Sequence, residues 1–320
     1  MESKASETGS NIVGKSRLKN RNHFKMFRVY RLITITLATI SMLSVSIITA
    51  GASDHILFKE DFEKENWKDN WSHPHWGQDG IMERVTGHPK VFEGKASLRV
   101  KLKMSNAKTQ NQVIRHFLKD KDHSHLFMRW YQMVEGGDFF TKSNKLELKG
   151  NSLYGWIIGK PWPQNLDSEN PKFTFRASMK SFYGVFMYSY LGKIGEVNRI
   201  GYHDQSYHIR PDTWHCVEIE LKANTIDKKD GELRMWVDGA LKSQKTGLFL
   251  RGESKMRIQA IEDVFKLTRY SNTGAANATA TIWRDAVVVS TKRIECADSN
   301  KISIKLPPPS DLRRIGLSGN

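Results

Sequence analysis

Cations and phenols recur at every second position in three short segments. In Asn144–Gly150 (NKLELKG), Lys145, Glu147 and Lys149 alternate with Leu146 and Leu148. In Phe173–Met179 (FTFRASM), Thr174, Arg176 and Ser178 oppose an apolar set. In Val185–Leu191 (VFMYSYL), Tyr188 and Tyr190 share a parity with Phe186. Alternation with period two is the mark of a strand with one buried face. As neighbours, the three would form a sheet surface bearing Lys, Arg and Tyr where a sandwich usually shows Ser, Thr and Glu. Taken singly, each residue reads better as a solvent-facing side chain; the set together favours the functional reading. A guanidinium stays charged and can grip a carboxylate in a fork, and a phenol can give or take a proton. An unperturbed lysine, with a pKa of about 10.4, is protonated at neutral pH unless its surroundings discharge it.

Such a face needs a β framework, and the rest of the chain supplies one. Asp212 to Gly239 reads as one long hairpin: Val217, Ile219 and Leu221 alternate with Glu218, Glu220 and Lys222, and Leu233, Met235 and Val237 alternate with Arg234, Trp236 and Asp238. The polar stretch between the arms ends in Asp230-Gly231, a turn dipeptide. Further strands are expected at Ile56–Phe62, Ala96–Met104, Gln112–Leu118, Leu126–Val134, Lys255–Ile261 and Thr281–Ser290. Gly159–Pro171 and Gly192–Pro211 read as irregular rim loops, the second carrying Tyr202, His203, Tyr207 and His208. Trp67, Trp71 and Trp76 could stack on sugar rings, although loop tryptophans more often lid a core. Asn277-Ala278-Thr279 is a glycosylation sequon, meaningful only in a eukaryotic host.

The 320 residues carry a net charge of +16. Residues 1–52 hold eight Lys or Arg against Glu2 and Glu7, so the remainder keeps +10. A basic body favours polyanionic partners, but charge does not separate nucleic acid from acidic polysaccharide. Leu32 to Thr49 is apolar, follows Arg28 and Arg31 and precedes Ala50-Gly51-Ala52, the pattern of a secretory signal with its cleavage site. A retained single-span anchor is the alternative. Translation from Met26 would give a leader of ordinary length. The expected organisation is a leader over 1–52, one β domain over 53–297 and a flexible tail over 298–320. Cys216 and Cys296 make either one disulfide or two thiols, and no metal cage.

The hairpin carries a resemblance. Trp214-His215 with Val217-Glu218, then Asn224, Asp230-Gly231 and Trp236-Val237-Asp238-Gly239, resemble the secreted jelly-roll polysaccharide lyases, the alginate and glucuronan lyases of concanavalin-like fold. The opening ILFKEDFE and the closing TIWRDAVVVSTKRI are similar to theirs. The resemblance implies an all-β jelly-roll sandwich that cleaves an acidic, uronate-containing polysaccharide by β-elimination. It implies catalytic roles for Lys145, Arg176, Tyr188 and Tyr190, and substrate contacts from Lys149, Thr174, Tyr202 and His203. The Lys145 segment lacks the family's Pro-Gly, so Lys149 is the fallback for its role. Elimination requires a neutralised carboxylate, a base for the C5 proton and a proton for the departing O4. Arg176 suits the first task and the tyrosines the last. The base is either Lys145, helped by desolvation, or a tyrosinate held among cations. No cofactor is implied, with structural Ca2+ left open. The expected protein is a secreted or periplasmic monomer, without nucleic acid and without membrane after signal cleavage. A non-catalytic carbohydrate-binding domain of laminin-G type is the first alternative. A retaining glycoside hydrolase is the second; it would need two carboxylates about 5–5.5 Å apart, and the outer face of the hairpin already accounts for Glu218 and Glu220.

Overall fold

The computed structural model describes residues 55–73, 80–87, 90–106, 110–120, 122–141, 146–160, 172–181, 184–193, 196–203, 209–269 and 277–297, with positions 110, 190–193 and 196–203 as backbone. Two antiparallel sheets make a jelly-roll sandwich. The larger contains β1 (Ile56–Glu60), β2 (Ile81–Thr86), β3 (Ala96–Met104), β5 (His125–Val134), β10 (His215–Lys222), β11 (Gly231–Val237), β12 (Ala240–Leu248) and β14 (Ala278–Ser290). Its strand order is β12-β11-β10-β5-β14-β3-β2, with β1 also on β14. The smaller contains β4 (Gln110–Phe117), β6 (Leu146–Ile157), β7 (Lys172–Lys180), β8 (Gly184–Lys193), β9 (Glu196–His203) and β13 (Met256–Arg269), in the order β4-β13-β6-β7-β8-β9. A single helical turn, α1 (Asp138–Thr141), follows β5. Among the described residues, no helix is long and apolar enough to cross a membrane.

The alternation read from sequence sets the layers. Leu98, Val100 and Leu102 of β3 and Val217, Ile219 and Leu221 of β10 face Leu148, Phe173, Phe175 and Phe265 of the smaller sheet across one core. The hairpin pairs Val217 with Val237 and Leu221 with Leu233. Trp67 and Trp71 are buried against this core, as lids; Trp76 lies outside the described residues, as do positions 1–54, 161–171 and 298–320. One loop expectation is corrected. Within Gly192–Pro211, Glu196–His203 forms β9, the edge strand beyond β8. Its sequence, EVNRIGYH, offers no alternation, and among the described residues it is the edge of β8 that supplies its partners.

The two cysteines are joined, Cys216 to Cys296 across a separation of 80 residues. The bond ties β10 to the segment after β14, and that segment covers the outer face of the hairpin. Glu218 accepts from Arg293 Nε at 3.0 Å and from the Ile294 amide at 2.9 Å, and Arg293 lies over Trp236. Glu220 pairs with Arg234 and His125. Both acids are committed to the larger sheet. Closing a loop of this length removes denatured-state entropy equivalent to about 4 kcal/mol in the chain-entropy picture. The Cys216→Ser/Cys296→Ser double variant is therefore expected to lose about 3–4 kcal/mol in urea unfolding; an unchanged midpoint would deny the bond a stabilising role.

Candidate active site

β6, β7 and β8 lie side by side, and their register draws the candidate residues into rows. Ser152 stands opposite Arg176, and Arg176 opposite Tyr188. One row along, Tyr154 faces Thr174 and Thr174 faces Tyr190; in the other direction Lys149 faces Ser178 and Ser178 faces Phe186. Strands are about 4.8 Å apart and alternate residues about 7 Å apart. Phe173, Phe175, Ala177 and Met179 are in the core, so Arg176 and its row occupy the outer face of the six-stranded sheet. β9 extends the rows: His203 stands opposite Phe186, Gly201 opposite Tyr188 and Tyr202 opposite Met187. His203, but not Tyr202, therefore shares the alternation of Tyr188. Lys145 lies outside the described residues.

On the other side the Arg176 row continues to Glu262 of β13, opposite Ser152, and to Arg115 of β4, opposite Glu262. Arg176 Nε donates to Ser152 Oγ at 2.7 Å and Nη2 to Tyr154 Oη at 2.6 Å, while Nη2 lies 3.6 Å from Glu262 Oε2. Glu262 Oε1 accepts from Arg115 Nε at 2.8 Å and also from Nη2. Arg115, Arg176 and Glu262 are 5%, 8% and 4% exposed. Two guanidiniums enclose one carboxylate in a site with little water to screen them. The Arg176 plane is set by Ser152 and Tyr154, so it cannot swing to follow a ligand.

Titration follows from this burial. Burial pushes the Tyr154 phenol well above the ordinary range, Arg176 opposing and Glu262 adding, so Tyr154 stays protonated. Burial also draws the Lys172 ammonium below the usual lysine range, with Arg176 and Arg115 reinforcing and Glu262 opposing. Lys180 is drawn down by burial against the opposing Glu147, and its Nζ lies 4.9 Å over the Phe186 ring. Thr174 is buried, and its carbonyl accepts from Ser189 Oγ at 2.6 Å.

Sequence reasoning missed Arg115, Tyr154, Glu262, Lys172 and Lys180. The two lysines were legible, since they continue the Thr174-Arg176-Ser178 alternation. Tyr154 was not, because β6 carries a bulge between Lys149 and Ser152 that breaks the period. At that bulge Gly150 passes so close to β7 that an added Cβ would lie 2.3 Å from the Ala177 carbonyl oxygen. The assembled site offers a rigid cationic base beside a strand bearing two phenols, an arrangement able to hold a carboxylate and to move a proton next to it.

No protein-family model matches the sequence, and no curated protein matches it. The fold is similar to that of an endo-β-1,4-glucuronan lyase from the fungus Trichoderma reesei, with TM-score 0.55 and 12% identity over 74% of this chain and 96% of the other. An alginate lyase from Aplysia kurodai gives 0.54 at 14% identity, covering 73% and 98%, and one from Chlorella virus gives 0.53 at 14% identity, covering 74% and 100%. These likenesses place the fold with the jelly-roll polysaccharide lyases.

Proposed function

We propose that this protein is a polysaccharide lyase that cleaves a uronate-containing polymer by β-elimination on the outer face of the six-stranded sheet. What supports the reading is the single row Arg115, Glu262, Ser152, Arg176 and Tyr188, which sets a buried, oriented guanidinium one strand away from a phenol on a fold that lyases share. In the proposed reaction the positive field of Arg176, reinforced by Lys149, neutralises the uronate carboxylate and so acidifies the C5 proton. The phenols Tyr188 and Tyr190 carry that proton from C5 to O4. The C5–H and C4–O4 bonds break, a C4–C5 double bond forms, and O4 leaves as a hydroxyl on the departing sugar. Lys145, whose place among these groups lies outside the described residues, is kept as the alternative base. The Cys216–Cys296 bond suits an oxidising compartment, in line with export through the apolar leader.

The test is near-ultraviolet absorbance of the purified protein incubated with alginate, glucuronan and other uronate polymers. A rise is expected on at least one, and loss of that rise in Tyr188→Phe at unchanged melting temperature assigns the phenol to the reaction. Binding of a polymer with no rise would replace the lyase reading with that of a carbohydrate-binding domain.

A further inference from the structure

Beneath the charged row of the outer face lies a polar cluster in the core. Ser152 and Glu262 are direct cross-strand partners. Asn151 precedes the first and Asp263 follows the second, so both turn to the opposite side. Both are fully buried, and Arg284 of β14 is 1% exposed. From the other sheet Arg284 grips both Asp263 oxygens, through Nε and Nη2. Burial works against the Asp263 charge, and Arg284 and the Asn151 amide oppose it. The residues that flank them on the same sides of β6 and β13, Leu153, Ile261 and Phe265, are apolar core. An ion pair in such a place is a poor source of stability, since apolar residues of similar volume often serve as well or better; what it supplies best is registry. The adjoining backbone ladder does not supply it. Between the pairs Glu262–Ser152 and Lys266–Lys149 the register of β13 on β6 shifts, with Gly150 and Asn151 set against Asp263, Val264 and Phe265. On its other edge β6 sets the same two residues against Ala177. A slip of one residue here would carry Ser152 into the core and Asn151 to the outer face.

We infer that the buried Arg284–Asp263 pair, with the Asn151 amide, sets the register of β13 against the bulge of β6, and that Asp263 is thereby a positioning residue for the Arg176 guanidinium. This rests on the proposed lyase reading, in which Arg176 meets the uronate carboxylate. The route is short. Asp263 is joined by one peptide to Glu262, which lies against Arg176 Nη2, and Asn151 by one peptide to Ser152, which accepts from Arg176 Nε. The pair touches no substrate and moves no proton in the reaction; it governs where the guanidinium plane points.

The experiment compares Asp263→Leu/Arg284→Met, which removes both charges, with Asp263→Glu/Arg284→Lys, which keeps a pair of similar reach, on the polymer that responds in the absorbance assay. At pH 8 the first is expected to stay folded, with KM within about threefold of the parent and kcat lowered at least about 10-fold, an error of about 1 Å in a positioning group being able to lower rate by about 100-fold. The second should bring kcat back to within about threefold of the parent. Cys216→Ser/Cys296→Ser, which loosens the larger sheet alone, controls for stability and should keep the parent's kcat. Parent-like kcat in Asp263→Leu/Arg284→Met, or equal losses in the two pair variants, would overturn the positioning role. Should the apolar double variant not fold, Asn151→Leu, isosteric and uncharged, carries the comparison: kcat lowered at least about threefold upholds the role, and kcat equal to the parent's removes it. If the parent eliminates no uronate polymer, the lyase reading fails, and the Arg176 Nε–H signal in proton–nitrogen NMR, identified by its absence in Arg176→Lys, then decides. A signal moved in Asp263→Leu/Arg284→Met and restored in Asp263→Glu/Arg284→Lys upholds the positioning of Arg176, and one unmoved in both removes it.

Discussion

Arg176→Lys is expected to lower turnover on the responding polymer by about 10²–10³-fold while shifting stability by less than about 1 kcal/mol. Removing a preorganised donor from developing negative charge typically has that effect on rate. Lysine keeps a positive charge beside Glu262, so the buried carboxylate retains both counter-charges and the fold survives. It cannot keep the orientation. Arg176 donates from Nε to Ser152 and from Nη2 to Tyr154, and those two bonds fix the plane of the guanidinium; an ammonium offers one point charge on a flexible stem. Arg176→Met differs in a way that separates charge from geometry. It takes one of the two guanidiniums from Glu262 and the guanidinium donor from Tyr154 and Ser152, so a further loss of about 2–3 kcal/mol in stability is expected. Turnover by Arg176→Lys within a factor of about three of the parent would take the guanidinium out of the reaction and leave it a structural cation.

The site was legible in part because strands expose their period. Arg176, Tyr188 and the faces of β7 and β8 follow from alternation alone, and the register then sets Arg176 opposite Tyr188 without further information. Glu262 could not be read this way. Its partner Arg115 is 147 positions away, and nothing local distinguishes a carboxylate that two guanidiniums will enclose from one that will meet water. Glu262 and Asp263 show the same point as neighbours. Successive strand residues face opposite sides, so one acid joins the outer cluster and the other enters the core. The cysteine pair stayed open for the same reason, since its 80-residue separation closes only when β10 and the segment after β14 are both in place. By contrast β3 was readable to the residue, because Leu98, Val100 and Leu102 alternate with cations throughout.

Asp263 carries the largest expected effect on stability. Arg284 of β14 reaches across the sandwich to Asp263 of β13, with Nε to Oδ2 at 2.9 Å and Nη2 to Oδ1 at 3.0 Å, while Nη1 donates to Gln132 Oε1 at 2.7 Å. Trp130 and Phe265 flank the guanidinium. Breaking a buried pair by removing one partner strands the other charge, so Arg284→Met is expected to lose about 3–5 kcal/mol at pH 8. The loss should depend on pH with a definite sign. Burial raises the Asp263 carboxyl to about 6 although Arg284 opposes it. A folded-state value above the unfolded one means that the contribution of Asp263 is complete below about pH 4 and declines as pH rises through 6. Without Arg284 the largest influence opposing burial is gone and the folded value climbs further, so the gap between variant and parent widens from pH 5 to pH 8. Urea midpoints at the two pH values measure it, and a gap that is constant or below about 1 kcal/mol would mean that the pair holds the sheets together only weakly. The double variant Asp263→Leu/Arg284→Met leaves no charge stranded and lets Gln132 keep Trp130 Nε1 as its donor at 2.9 Å. It should recover most of the loss at pH 8 and show none of the widening, because the group whose proton is linked to folding is gone.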